Sequence, residues 1–190
     1  MKLREYQNNI AIQAANKLTA FGCCYLSMEC RTGKTLTALY AADKFNAKSV
    51  LFITKLKAIP SVKNDYIALQ PSFKLEVVNF ESSHKVTVKY DLVIIDEAHS
   101  LGAYPKPSKR TQEIRTICEG LPVLYLSGTP SPESYSQLYH QFWVCSKSPW
   151  KSYKSFYKWA KEYVYTRQKR VNGYLINDYS CANKPKIDND

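Results

Sequence analysis

What this sequence lacks closes off several classes at the outset. Its six cysteines (Cys23, Cys24, Cys30, Cys118, Cys145, Cys181) show no Cys-x-x-Cys spacing and have no matching His pair. Neither a zinc site nor a disulfide framework is therefore expected, and free thiols in a reducing compartment are the default. The amino terminus, Met-Lys-Leu-Arg-Glu-Tyr-Gln, has no apolar signal core, and no apolar run approaches the ~20 residues needed to span a bilayer. The expectation is a cytoplasmic protein with no membrane partner. Acids are also scarce, 16 against 27 Lys and Arg, for a formal net charge of +11. That excess suits a polyanionic partner such as nucleic acid, and equally a solvated basic surface. No internal repeat is visible. A hydrophobic content of 45% with 13% aromatics excludes a disordered chain, and 190 residues are enough for one domain with a real core.

What is present centres on two stretches. Met28-Glu29-Cys30-Arg31-Thr32-Gly33-Lys34-Thr35 ends in Gly-Lys-Thr, between an apolar run (Cys23 to Leu26) and a segment of helical periodicity from Leu36. Strand, loop and helix in that order make a phosphate-binding loop. Backbone N–H groups and the positive end of the helix face the phosphates, Lys34 reaches the β and γ phosphates, and the Thr35 hydroxyl ligates magnesium. The full pattern asks for Gly where this chain has Met28. The second stretch is Leu92-Val93-Ile94-Ile95-Asp96-Glu97-Ala98-His99. Four apolar residues followed by two acids describe a buried parallel strand that delivers carboxylates to the edge of the sheet where ligands bind. Two such acids repel unless a cation is present. Magnesium on Asp96, with Glu97 left to orient and deprotonate a water, resolves this.

The rest of the chain reads as an α/β domain with an appendage. Glu5 to Ala20 has helical spacing; Ser49 to Ile53, Leu75 to Phe80, Leu92 to Asp96 and Pro122 to Ser127 read as strands; Ile59 to Leu69, opened by Pro60, and Lys109 to Glu119 read as helices. Ser82 to Tyr90 is polar, a turn with a short edge segment. Strand, crossover and strand imply a mainly parallel sheet with helices on both faces. Beyond Ser131 the composition shifts. Ser134 to Phe142 reads as a helix, and Ser148-Pro149 as the start of another running to about Tyr165. On that helix Lys151, Lys154, Lys158 and Lys161 would form one basic face and Phe156, Trp159 and Tyr163 the opposite one. Asn172-Gly173 marks a possible hairpin, and Lys184 to Asp190 a frayed tail. The expected division is 1–145 for the α/β domain, 146–183 for a basic helical extension with a hairpin, and 184–190 for the tail.

Four motifs in order, Leu3-Arg4-Glu5-Tyr6-Gln7, Arg31-Thr32-Gly33-Lys34-Thr35, Asp96-Glu97-Ala98-His99 and Ser127-Gly128-Thr129-Pro130, resemble motifs Q, I, II and III of superfamily-two helicases. The resemblance is strongest to the Swi/Snf-type DNA translocases and their compact phage relatives. It covers roughly residues 3 to 165. Swi/Snf-type loops also lack the first Gly, and Asn79-Phe80-Glu81 stands near the position of motif Ib. Ser131-Pro132-Glu133 departs from the family's usual Pro and Asn.

The resemblance implies a RecA-like P-loop domain, a three-layer α/β/α sandwich that binds ATP and Mg2+, in the host cytoplasm if the protein is viral. Nucleotide would be held by Gln7 on adenine and by Arg31, Thr32, Gly33, Lys34 and Thr35, with Thr35 and Asp96 on the metal. Lys34, Asp96 and Glu97 would carry catalysis, while His99, Ser127 and Thr129 would couple nucleotide state to the nucleic-acid face. On that face the candidates are Thr54, Lys55, Lys109, Arg110, Lys151, Lys154 and Lys158, with duplex DNA the favoured partner. The family's motor uses two RecA-like domains, and the arginine fingers of the second have no counterpart after Thr129. A second domain, in a C-terminal half or a separate chain, is therefore implied. The rival readings are a self-sufficient P-loop NTPase or kinase, for which Arg110 or Arg115 would have to serve, and a non-catalytic nucleic-acid-binding module.

Overall fold

The computed structural model describes residues 3–29 and 31–188, so Cys30 of the phosphate loop lies outside the described residues. Helix α1 (Glu5–Phe21) ends at Gly22, whose φ of 71° is left-handed and whose N–H donates to Leu18 O at 2.8 Å, the usual way a glycine closes a helix. Then come β1 (Cys23–Ser27), α2 (Lys34–Lys44), β2 (Ser49–Thr54), α3 (Ile59–Leu69), β3 (Lys74–Asn79), β4 (Leu92–Ile95), α4 (Lys109–Ile117) and β5 (Val123–Ser127). The carboxyl-terminal part holds α5 (Gln137–Trp143), α6 (Phe156–Tyr163), strands β6 (Arg167–Val171) and β7 (Tyr174–Asp178), and α7 (Lys184–Asp188).

Five parallel strands form one sheet in the order β1-β5-β4-β2-β3. Strand periodicity sorts their side chains between two cores. Val50, Phe52, Leu92, Ile94, Leu124 and Leu126 face a core closed by Ala11, Ala14 and Leu18 of α1, Leu39 and Ala42 of α2, and Val62 of α3. The alternating Leu51, Ile53, Val93, Ile95, Val123 and Tyr125 face a second core with Leu101, Ile114 of α4, Val144 and Cys145. Both faces of the sheet are covered at its centre, which is why β2, β4 and β5 are almost wholly apolar, whereas the marginal β3 alternates with exposed Lys74 and Glu76. The fold is a RecA-like α/β/α sandwich, as the sequence implies.

A third core is almost entirely aromatic. Leu138 and Tyr139 of α5 pack with Trp150, Phe156, Trp159, Tyr163 and Ile187, and the Trp159 and Tyr163 rings stack at 5.0 Å with an interplanar angle of 10°. Here, and in the segment after β3, four expectations are corrected. The helix expected from Ser148 begins only at Phe156, with Ser155 as its cap: Ser155 Oγ accepts from Lys158 N at 3.4 Å. Ser148 instead turns its hydroxyl onto Trp150 N at 3.2 Å, which brings the Trp150 ring into the cluster. Lys151 and Lys154 thus lie in turns, off the helix that carries Lys158 and Lys161, so the expected single basic stripe does not form. The tail is not frayed through Asp188, because Ile187 of α7 is buried in the same cluster. Ser82 to Tyr90 contributes no edge strand; Phe80–Lys85 is a 3-10 turn whose Asn79 side chain accepts from Ser82 N. The described cysteines are free thiols.

Candidate nucleotide-binding site

The carboxyl ends of β1, β4 and β5 lie side by side, so the residues that follow them meet at one edge of the sheet. β1 leads into the loop before α2. Met28 N donates to Ser127 O at 3.1 Å, and its side chain is buried. Met28 therefore continues the ladder between β1 and β5 and needs no positive φ. Among the described residues of the loop, the left-handed positions are Arg31 (φ 64°) and Gly33 (φ 82°). At Gly33 the reason is close approach as well as φ: a Cβ there would come within 2.3 Å of Gln7 Nε2.

Helix α1 holds the loop through its first turn. Gln7 Nε2 donates to Thr32 O at 3.2 Å and Tyr6 Oη to the same carbonyl at 2.8 Å, while Gln7 Oε1 accepts from Arg4 N at 3.0 Å. The Thr32 hydroxyl donates to Glu29 O at 2.7 Å. Gln7 is buried against the loop, with its amide on backbone groups rather than free for a base. Lys34 Nζ donates to Glu29 O at 3.2 Å, across the mouth of the loop. Thr35 occupies the first turn of α2, half-buried, and Arg31 is exposed.

Asp96 follows β4, the sheet's central strand, whose four residues are fully buried. Burial is the main influence on its carboxyl and pushes the pKa up. The Thr54 hydroxyl on Oδ2 (2.8 Å) and Glu97 N on Oδ1 (3.0 Å) work against this, the charge of Glu97 adds to it, and the charge of Lys34 opposes it. Lys34 and Asp96, 62 positions apart in the chain, thus share one electrostatic site. Thr54 is fully buried and its hydroxyl is taken by Asp96. This corrects its placement on a nucleic-acid face: it supports the acid instead, and the exposed neighbour Lys55 is the residue left at the surface.

Glu97 sits at φ 53°. Its Oε2 lies 3.3 Å from His99 Nδ1, which is also 3.0 Å from Ser127 Oγ, and that oxygen accepts from Thr129 N at 3.1 Å. Glu97, His99, Ser127 and Thr129 therefore form one chain of contacts. Two members were not singled out from the sequence. Tyr25 Oη donates to Gln141 Oε1 at 2.7 Å, and Gln141 Nε2 donates to Pro130 O at 2.7 Å, joining the chain to α5. Burial raises the Tyr25 pKa well above that of a free phenol. Tyr25 sits in a strand of mixed character and Gln141 in a helix of undistinguished composition, so neither carried a motif.

The other sequence candidates lie elsewhere. Lys109 is exposed at the start of α4. Arg110 is bound: its guanidinium contacts Glu81 Oε1 at 2.9 Å and lies over the Phe80 ring. Arg115 stacks on Trp143 at 3.8 Å and donates to the Trp143 carbonyl. Close by, the Cys145 thiol is 3.7 Å from Gly22 O and 3.9 Å from Leu121 O, which precede β1 and β5, so Arg115 is at the opposite pole of the sheet from Lys34. Lys151, Lys154 and Lys158 are exposed. Among the described residues no three His, Cys, Asp or Glu side chains group as a metal site. A magnesium site needs no such group, since one carboxylate and one hydroxyl suffice where phosphates and water complete the octahedron.

No family model matches the chain, and no curated protein is similar to it. Among solved structures, it resembles a nuclease-deletion mutant of the Type ISP restriction-modification enzyme LlaGI, solved in complex with a DNA substrate mimic, with a TM-score of 0.50 and 16% identity. The likeness covers 69% of this chain and 18% of that one, so the chain spans less than a fifth of the larger protein. At that identity the likeness establishes the fold. No helix among the described residues is long and apolar enough to cross a membrane.

Proposed function

We propose that this chain is the ATP-binding motor domain of a nucleic-acid-dependent ATPase of helicase or translocase type, acting with a second RecA-like domain. The observation that carries the reading is that the loop after β1, which carries Lys34, and the end of β4, which carries Asp96, both lie at the carboxyl edge of one parallel sheet, with Gln7 packed on the Lys34 loop. Lys34 is poised to exchange the Glu29 carbonyl for phosphate oxygens. Thr35 and Asp96 would hold magnesium, which when bound neutralises charge on the β and γ phosphates. Glu97, fixed by His99, is the group that orients and deprotonates the attacking water. His99, Ser127 and Thr129 carry the state of that site toward Pro130 and α5. Motif order favours the Swi/Snf-type branch and duplex DNA, and the DNA mimic held by LlaGI supports nucleic acid as partner. Exposed Lys55, Lys109, Lys151, Lys154 and Lys158 would meet its phosphates.

The self-sufficient NTPase reading needs a cation on the far side of the γ-phosphate, a group worth about three to five orders of magnitude in rate. Arg110 is held by Glu81 and Arg115 lies at the other pole, so neither takes that role. The non-catalytic reading leaves the set of Lys34, Asp96 and Glu97 without a purpose. Titration calorimetry with Mg-ATP tests the proposal. Replacing Lys34 by Ala removes charge-assisted hydrogen bonds and should weaken binding by about 10- to 150-fold; equal affinities would overturn it. In the same preparation, phosphate release should stay below about one per second with or without duplex DNA. Faster turnover that disappears in Glu97→Gln would favour the self-sufficient enzyme.

A further inference from the structure

The β6–β7 ribbon is unlike the rest of the molecule. Nine of its ten strand residues are exposed, and the tenth, Asp178, is half-buried. Two antiparallel strands with neither face covered are marginal in water on their own. Yet this pair carries Tyr174 at 76% exposure, Leu175 at 61%, Val171 at 42% and Ile176 at 41%. Apolar side chains gathered in one exposed element mark a contact surface.

The register shows what shares each face. Arg167 pairs with Asp178, Lys169 with Ile176 and Val171 with Tyr174 on one face, while Gln168 pairs with Asn177 and Arg170 with Leu175 on the other. Asp178 lies at the base, where Lys169 Nζ is 3.3 Å away and Ser180 N donates to it. Toward the Asn172-Gly173 turn there is no acid. Arg167 and Arg170 have no acidic partner among the described residues. Arg167 and Lys169 therefore share one exposed face with Ile176, Val171 and the Tyr174 ring, and Arg170 shares the other with Leu175.

That mixture decides the class of partner. The buried centre of a protein–protein interface is depleted of charge, whereas here Leu175 lies opposite Arg170, Ile176 opposite Lys169, and Tyr174 has Lys169 as its diagonal neighbour. A strand of nucleic acid presents both complements at once, phosphates for the arginines and a base face for the Tyr174 ring, provided its bases are unpaired.

The ribbon is also held at its root. Ser134 Oγ donates to Ser180 O at 2.6 Å and Ser136 Oγ to Tyr179 O at 2.5 Å, the Tyr179 ring packs edge-on against Phe156, and Tyr165 N donates to Cys181 O at 2.8 Å. Ser134 and Ser136 stand between Pro130 and α5, the segment tied to the nucleotide site through Gln141. The arm is rigid where it joins the site's far end and open at its tip.

We propose that the β6–β7 ribbon is a nucleic-acid-binding arm that takes a single-stranded segment, with Tyr174 stacking on an unpaired base and Arg167, on the same face, contacting a phosphate. This rests on the motor-domain reading for its partner and adds to it a preference for unpaired bases. The test uses the full chain, with a labelled single-stranded oligodeoxynucleotide and the blunt duplex of the same sequence, in anisotropy titrations over a range of salt. Tyr174→Ala should weaken single-strand binding by about 5- to 150-fold, the worth of one stacked base, and leave duplex binding unchanged, while Tyr174→Phe should retain wild-type affinity. Arg167→Gln should lower the single-strand salt slope by about 0.7, the worth of one phosphate contact. Wild-type binding that Tyr174→Ala leaves intact overturns the arm alone. An equal loss on single strand and duplex overturns base stacking, and so does loss of affinity for a second RecA-like domain with oligonucleotide binding preserved. Wild-type protein that binds neither oligonucleotide overturns the arm together with the nucleic-acid partner of the motor-domain reading.

Discussion

The two ends of this molecule are built on different physics. At the carboxyl edge of the sheet, short polar side chains at strand ends contact one another and the backbone: Lys34 on Glu29, Thr54 on Asp96, His99 between Glu97 and Ser127. Each is placed by the strand it follows, and each contact has a direction. The aromatic cluster around Trp159 has almost none of that. Its rings meet at angles from 10° to 86°, with centroids 5.0 to 6.1 Å apart, and the buried Trp159 Nε1 has no hydrogen-bond partner among the described residues. On the proposed reading, the first region should lose any one contact at small cost to stability but at a large cost to its chemistry. The second has no evident chemistry, and its contribution to stability is concentrated in a few large side chains.

Three measurements would break or sharpen that contrast. The largest effect should come from Trp159→Ala, which empties the centre of the cluster. Truncating a fully buried Trp costs about 3–5 kcal/mol, with no hydrogen bond lost here. Urea unfolding should report that loss, while Mg-ATP affinity measured on the folded protein stays at the wild-type value. A drop in affinity would show that the two regions are not separate.

Acid should act mainly on the aromatic side. His140 is buried between Tyr139, Trp143 and Phe156, and desolvation lowers its pKa to about 4, against a hydrogen bond to the Ala103 carbonyl that favours the proton. The unfolded state, titrating near 6.5, binds the proton that the folded state refuses. The stabilising effect of the neutral ring is complete above pH 6.5 and is lost as pH falls from there to about 4, by up to about 3 kcal/mol at 1.36 kcal/mol per pH unit. Denaturant midpoints of wild type and His140→Leu across that window should diverge at neutral pH and converge toward pH 4. A parallel pair of curves would locate the acid sensitivity elsewhere.

The smallest stability effect belongs to the polar end. Ser127→Ala removes the hydroxyl shared by His99 and Thr129 N, at a cost of about 1 kcal/mol. Unfolding should barely register it. The sharper readout is nucleic-acid stimulation of ATPase activity once the second RecA-like domain is supplied, which should fall with ATP affinity unchanged. Unaltered stimulation would remove Ser127 from the coupling path.

The same contrast explains what could be read from the sequence. Strand ends announce themselves: Leu92 to Ile95 is a buried run that places Asp96 and Glu97 by chain geometry alone, and the same holds for Ser27 to Lys34 and for Ser127. The sheet, and the strand-end positions of Lys34, Asp96, Glu97 and Ser127, were legible for that reason, whereas Tyr25 and Gln141 were not. The aromatic cluster was not, since it depends on tertiary contacts. Helical spacing of Lys151, Lys154 and Lys158 suggested one long helix, but Ser148 and Ser155 both divert the chain, and the cluster's demand for the Trp150 ring outweighs local propensity. Thr54 misled for a related reason. A threonine at a strand end reads as a surface residue until the neighbouring strand brings an acid to its hydroxyl.

The strand order has a consequence for local opening. β1 lies at the margin of the sheet with β5 as its one neighbour, whereas β4 lies at the centre between β5 and β2. Gly22 O and Met28 N bond to the β5 side, and the alternation between them turns the amides of Cys23, Tyr25 and Ser27 outward. Opening free energies are lowest at such margins and highest at sheet centres. The loop with Lys34 thus hangs from a marginal strand, whose outward amides should exchange early, and Asp96 from the central one, whose amides should exchange late. A nucleotide bridging the two ties the fraying side of the sheet to its most protected strand, so its occupancy should be felt most in the slowing of exchange along β1.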